Sequence, residues 1–211
     1  MGDYMFKELF LLFVFGSIIG TVYETILTLI RNYMKYKRFK YERRCGYIFG
    51  PFNPVYRVGA VIFVLLLKGD NILINFLLGS IIGGVYEFLA SYIQEKFTGT
   101  IGWDYSGLLL NIDGRTTIPF MFFWGLAALL LIYFVYPIFT LVLSNLPFLD
   151  VIFFIFWVII IVDTFITFSA LIRAKYGRKN IQALTFIGRI CDKYYSDNKL
   201  LKYFPNLIFV E

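Results

Sequence analysis

Three carboxylates sit inside apolar runs of this 211-residue chain, and they are its first candidates for chemistry. Glu24 closes GSIIGTVYE (16–24), Glu87 closes GSIIGGVYE (79–87), and Asp163 lies within VIFFIFWVIIIVDTFITF (151–168). A charged side chain at depth in lipid costs roughly 2.5–3.5 kcal/mol on the insertion scale, so each acid should face protein or a polar cavity. There it can hold a mobile charge or lock two helices together. Asp163, near the middle of its run, is either a site residue or a hydrogen-bond acceptor for a neighbouring backbone or hydroxyl group.

A second polar set lies in two interrupted segments. IGWDYSGLLLNIDGRTTIP (101–119) carries Trp103, Asp104, Asn111, Asp113 and Arg115, and RRCGYIFGPFNPVYRVGA (43–60) carries Arg44 and Arg57. Both are too apolar for solvated loops and too rich in Gly, Pro and Asn for regular helix. Broken backbone at membrane depth persists only when buried in protein or lining a wet cavity. By depth, Glu24 is expected to meet Arg57, and Glu87 to meet Arg115. Buried ion pairs of this kind are tolerable only when well hydrogen-bonded.

Other chemistries have little support. Histidine is absent, and the two cysteines, Cys45 and Cys191, form no CxxC, so neither a metal nor a cofactor is expected. There is no GxSxG nucleophile and no GxxxxGK[ST] phosphate loop. A lipid-modifying enzyme would have to use Asp104, Asp113 and Arg115 to hold a phosphate or metal. Asp113 reads more naturally as a turn residue before Gly114.

Long apolar elements must position these groups. The chain is 59% hydrophobic and 16% charged, with 25 Phe and 16 Tyr. That composition predicts an all-α integral membrane protein with aromatic belts. Five segments approach the roughly 20 residues a span needs: 9–30, 46–67, 72–93, 117–143 and 151–172. The N-terminus MGDYMFKE lacks a basic signal region, so the first run should remain as a span. Lys and Arg crowd 31–44 and the tail after 172, and they stay on the cytoplasmic side. The N-terminus is then outside and the C-terminus inside a bacterial cell membrane. The net charge of +6 follows from this topology rather than from nucleic-acid binding.

Residues 16–25 and 79–88 are identical at eight of ten positions, which suggests an internal duplication. Residues 1–145 form the duplicated membrane domain, with parallel two-span units at about 9–67 and 72–143. The fifth span occupies 146–176 and a cytoplasmic amphipathic tail 177–211. In the tail, Ile181, Leu184, Ile187 and Cys191 share one stripe, the pattern of a helix on the membrane surface. Within each repeat, Gly, Gly and Glu recur four apart and stack on one helix face, where small residues admit a close neighbour.

WDYS at 103–106, followed by Asn111 and GR at 114–115, resembles the pattern of the bacterial membrane family labelled "putative ABC-transporter permease, CmpB type". RCGYIFGPFNPVY at 44–56 and the glutamates Glu24 and Glu87 are similar to that family's other motifs, so the resemblance covers about residues 10–140. Arg57 stands where the family has Gly, and Gly102 where it often has Trp, which makes Arg44 the better family-wide partner for Glu24.

The resemblance implies a permease-like subunit of a transporter. Glu24, Glu87, Trp103, Asp104, Asn111 and Arg115 would bind substrate near the cytoplasmic side. Arg44, Arg57 and Asp163 are ion-pair candidates. A separate ATPase subunit would supply energy, membrane lipid would surround the chain, and a homo-oligomer would complete the path. The alternatives are an accessory or scaffold protein that binds a partner or anionic lipid through its basic loop, and the lipid-modifying enzyme.

Overall fold

The computed structural model describes residues 2–39, 50, 54–67, 69–175, 183–204 and 207–209. Its helices are α1 (Gly2–Tyr36), α2 (Pro54–Leu66), α3 (Ile72–Thr98), α4 (Ile118–Leu130), α5 (Tyr136–Ser144), α6 (Leu149–Lys175), α7 (Phe186–Tyr194) and α8 (Asp197–Tyr203). Among the described residues, four two-residue strands accompany them: β1 (Thr100–Ile101), β2 (Asn111–Ile112), β3 (Thr116–Thr117) and β4 (Ile208–Phe209). The protein is an all-α membrane protein.

Among the described residues, four helical stretches are long and apolar enough to cross a bilayer: Tyr4–Tyr36, Ile72–Thr98, Ile118–Ser144 and Leu149–Ala174. They contain four of the five expected spans. At the second expected span the described helix is α2, of 13 residues. That is about 20 Å at helical rise, short of a full crossing. Proline tolerates the first helical turn, where its missing N–H goes unused, so Pro54 suits the start of this helix. Residues 46–49 and 51–53 lie outside the described residues.

The fourth span is one rod with a defect. A π-turn over Leu131–Val135 joins α4 to α5. Pro137, the second residue of α5, has no N–H to donate to the preceding turn, and a widened turn absorbs that loss.

The chain divides into two compact units: Met1–Ser17, Pro54–Ser91 and Asp104–Trp157 in the first, and Ile18–Asn53, Tyr92–Trp103 and Val158–Glu211 in the second. In the first, Phe63, Leu67 and Ala128 form the core, with Ile82, Trp124, Leu131 and Ile132 packed on it. Gly16 receives the Ala60 side chain, and Gly79 receives that of Ala128. The small-residue face of each copied stretch thus admits a neighbouring helix, as the spacing predicts. Asn75, fully buried, donates to Gly69 O at 2.7 Å and to the Tyr133 hydroxyl at 2.8 Å.

In the second unit the tail folds back onto α6. Ala170, Leu171, Cys191, Leu200, Phe204 and Leu207 make one core, and β4 pairs antiparallel with β1. The expected surface stripe is therefore redistributed. Cys191 points into this core, Leu184 and Ile187 stay exposed, and Ile181 lies outside the described residues.

Candidate functional site

The first unit builds a polar site around Glu87. This residue lies on α3, four residues beyond Gly83, and is 6% exposed. Gly83 lacks a Cβ where the Trp124 side chain of α4 passes, and Gly125 gives the same clearance to Phe76 and Ser80 of α3. These clearances let α3 and α4 approach closely and lay the Trp124 indole beside the acid. Trp124 is thus a close neighbour of the Glu87 carboxyl group.

Two hydrogen-bond donors come from the segment between α3 and α4. The Thr116 hydroxyl donates to Oε2 at 2.7 Å, and the Tyr105 hydroxyl to Oε1 at 3.2 Å. Tyr105 is held by the Phe120 ring, whose centroid lies 4.8 Å away. One neutral hydroxyl thus reaches each carboxyl oxygen, a geometry that suits an acceptor. Among the described residues no cation is bonded to this carboxylate.

The segment's other polar groups are used in its own construction. The Asp104 carboxylate accepts from the Ser106 backbone N–H at 2.8 Å and from its hydroxyl at 3.1 Å. These bonds hold the Asp104 carboxyl below the usual carboxylate range, the backbone N–H contributing most. Asn111 donates to Leu108 O at 2.7 Å and accepts from Gly114 N–H at 3.0 Å. Strands β2 and β3 pair antiparallel, and Arg115 N–H donates to Ile112 O at 3.0 Å to close the turn between them. Asp113 and Gly114 take φ of 52° and 65°, the left-handed pair that such turns favour. Asp113 is indeed a turn residue. The Thr117 hydroxyl accepts from Phe120 N–H at 3.2 Å and caps α4.

This path sets which side chains reach the acid. Successive residues of an extended segment point to opposite sides. With Thr116 turned to Glu87, Arg115 turns away. Its guanidinium donates to Asp113 at 3.0 Å and to the Ser91 hydroxyl at 3.4 Å, and lies 5.8 Å from the centre of the Phe88 ring. The expected Glu87–Arg115 ion pair is replaced by neutral donors for the acid and a separate set of contacts for the arginine.

The remaining expected residues are distributed as follows. Arg57 is buried on α2 with its guanidinium 4.5 Å from the centre of the Phe13 ring, a cation–π contact. Glu24 is half-buried on α1, where its carbonyl accepts from the Thr28 hydroxyl at 2.8 Å. Trp103 is half-buried in the second unit. Asp163, 1% exposed on α6, accepts from the Gly50 backbone N–H at 2.9 Å and from the Thr167 hydroxyl at 3.2 Å. It therefore bonds backbone and hydroxyl groups, one of its two expected roles. Arg44 lies outside the described residues. Sequence reading missed Thr116 and Tyr105 as partners of Glu87, and Trp124 as its neighbour. Only the closeness of Tyr105 and Thr116 to the quoted motifs hinted at them.

A family model described as "Putative ABC-transporter type IV" matches residues 11–168, well over half of the chain. The match contains Glu87, Tyr105, Thr116, Trp124 and Asp163. No match to the chain emerges among curated proteins or among solved structures.

Proposed function

The chain belongs to the family described as "Putative ABC-transporter type IV", and from that premise we propose that it is a permease-like transporter subunit with its polar site at Glu87. The observation that carries this reading is a buried carboxylate held by Thr116 and Tyr105 inside an apolar helix. Neutral donors orient the acid without cancelling its charge. A cationic group on the cargo, or a proton, would complete it. Glu24 is the corresponding acid of the other copied stretch. Asp104 and Asn111 shape the segment beside Glu87, and Arg115 is that segment's cation.

The chain would lie in a bacterial cell membrane with its N-terminus outside and C-terminus inside, as the basic segments support. The copied glycine–glutamate faces support two parallel two-span units within 1–145. Gly16 against Ala60 and Gly79 against Ala128 are corresponding contacts in this scheme. No phosphate-binding loop occurs in the sequence, so a separate ATPase subunit would drive transport, and a homo-oligomer would close the path.

A tagged full chain purified in mild detergent tests this reading. An ATPase should co-purify, and Glu87→Gln should change its turnover while leaving assembly intact. The reading fails if no ATPase accompanies the chain and Glu24→Gln and Glu87→Gln leave every measured behaviour unchanged.

A scaffold reading draws support from the same segment, because Asp104, Asn111 and Asp113 all bond within it. It gains if a non-ATPase partner co-purifies stoichiometrically and the Glu87 variant still binds it.

A further inference from the structure

We propose that α7 is a membrane-interface helix, with an apolar arc seated among lipid chains and a basic flank on anionic lipid phosphates. The helix α6 and the tail packed on its end carry this, independently of any transport role.

The depth of α7 is set by α6. The apolar stretch Leu149–Ala174 has 26 residues. At helical rise it measures about 39 Å, more than the roughly 30 Å hydrocarbon core, so its end reaches the interface. At that end α7 is fastened. Arg173 donates through Nε and Nη2 to the two carboxylate oxygens of Asp192, both at 2.9 Å. Cys191 joins the core formed by Ala170 and Leu171. This anchoring places α7 at the level of the headgroups.

The faces of α7 then decide what covers it. At 3.6 residues per turn, Cys191 and Gly188 share the buried side. Phe186, Ile190, Tyr194 and Ile187 form the adjoining arc and remain exposed, Phe186 at 73%. Leu184, just before the helix, is 92% exposed. Arg189 and Lys193 lie beyond Phe186 on the other flank, also exposed. An apolar arc bordered by cations, fixed at the end of a span, matches the chemistry of an anionic leaflet: acyl chains beside phosphates. An acidic protein surface would complement the cations but leave the arc of Phe and Ile against charge.

The test uses the full chain in lipid nanodiscs. A nitroxide is placed at Phe186→Cys in a Cys45→Ser, Cys191→Ala background, with Lys199→Cys as the exposed reference on α8. Oxygen and a water-soluble nickel chelate report its surroundings. The oxygen-to-nickel accessibility ratio at 186 should exceed that at 199 severalfold in nanodiscs containing phosphatidylglycerol. Arg189→Glu with Lys193→Glu should lower the ratio toward that of the reference. If the cysteine background disturbs folding, Phe186→Trp in the otherwise unchanged chain reports through brominated-lipid quenching of the fluorescence it adds to that of Trp103, Trp124 and Trp157, taken as the difference from the parent. A label as nickel-accessible at 186 as at 199 overturns the proposal in favour of a solvated helix. A label shielded from both reagents overturns it in favour of a protein partner.

Discussion

The Thr116 hydroxyl lies 2.7 Å from Glu87 Oε2 although 29 positions separate the two residues. It joins the broken segment before α4 to the acid of α3. A hydrogen bond to a charged acceptor contributes about 1.5–3 kcal/mol. Thr116→Val should therefore lower thermal stability in detergent by that order, while Thr116→Ser should stay close to the parent. Equal melting of all three would show that the hydroxyl contributes nothing.

Gly83 and Trp124 make a second such relationship. A methyl group at 83 would strike the Trp124 side chain and disturb the approach of α3 to α4. Gly83→Ala should destabilise by roughly 1–3 kcal/mol, the usual range for overpacking. Combined with Trp124→Leu the two effects should be less than additive, because the smaller side chain clears the space. A double-mutant cycle on thermal or denaturant unfolding measures this.

Asp163 should tolerate only replacements that can still accept. Gly50 N–H and the Thr167 hydroxyl both point at its carboxylate. Asp163→Asn keeps one acceptor oxygen and should retain a folded, monodisperse protein. Asp163→Leu leaves the Gly50 N–H without this acceptor, at about 1–3 kcal/mol, and should reduce the folded yield in size-exclusion chromatography. Identical profiles for the two variants would remove the hydrogen-bonding role.

The turn at Asp104 should depend on pH. Its carboxyl is held below the usual carboxylate range by the Ser106 backbone N–H and then the Ser106 hydroxyl. A group with a lowered folded value contributes its stability above the unfolded value and loses it as pH falls through the folded one. Protection of the Ser106 amide from hydrogen exchange should be intact at neutral pH. On acidification it should decline, beginning near the ordinary carboxylate range. Asp104→Ala should abolish that pH dependence. A profile left unchanged by this substitution would place the cause elsewhere.

Several of these features were readable in advance. The apolar runs at 72–93 and 151–172 fall inside α3 and α6, and that at 117–143 matches α4–α5 to within one residue, because length and hydrophobicity suffice to mark a span. The glycines four apart marked the faces that meet Ala60, Ala128 and Trp124, because helical spacing puts them on one side. Asp113–Gly114 announced its turn through residue types that accept positive φ. The second expected span is less regular: its described part is the short helix α2.

Local composition and periodicity thus determined the spans, the close-packing faces and the turn, since each depends on residues within one or two helical turns. The partners of Glu87 and the facing of α7 were decided by tertiary structure. Depth alone favoured Arg115, yet the β2–β3 path points Thr116 inward and turns Arg115 to Asp113 and Ser91. The stripe through Cys191 suggested a lipid face, yet the grip of Arg173 on Asp192 turns Cys191 into the core and leaves Phe186 and Ile190 outside. A hydrogen bond or a packed face is selected by the route of the intervening backbone, and that route is set only when distant elements close on one another.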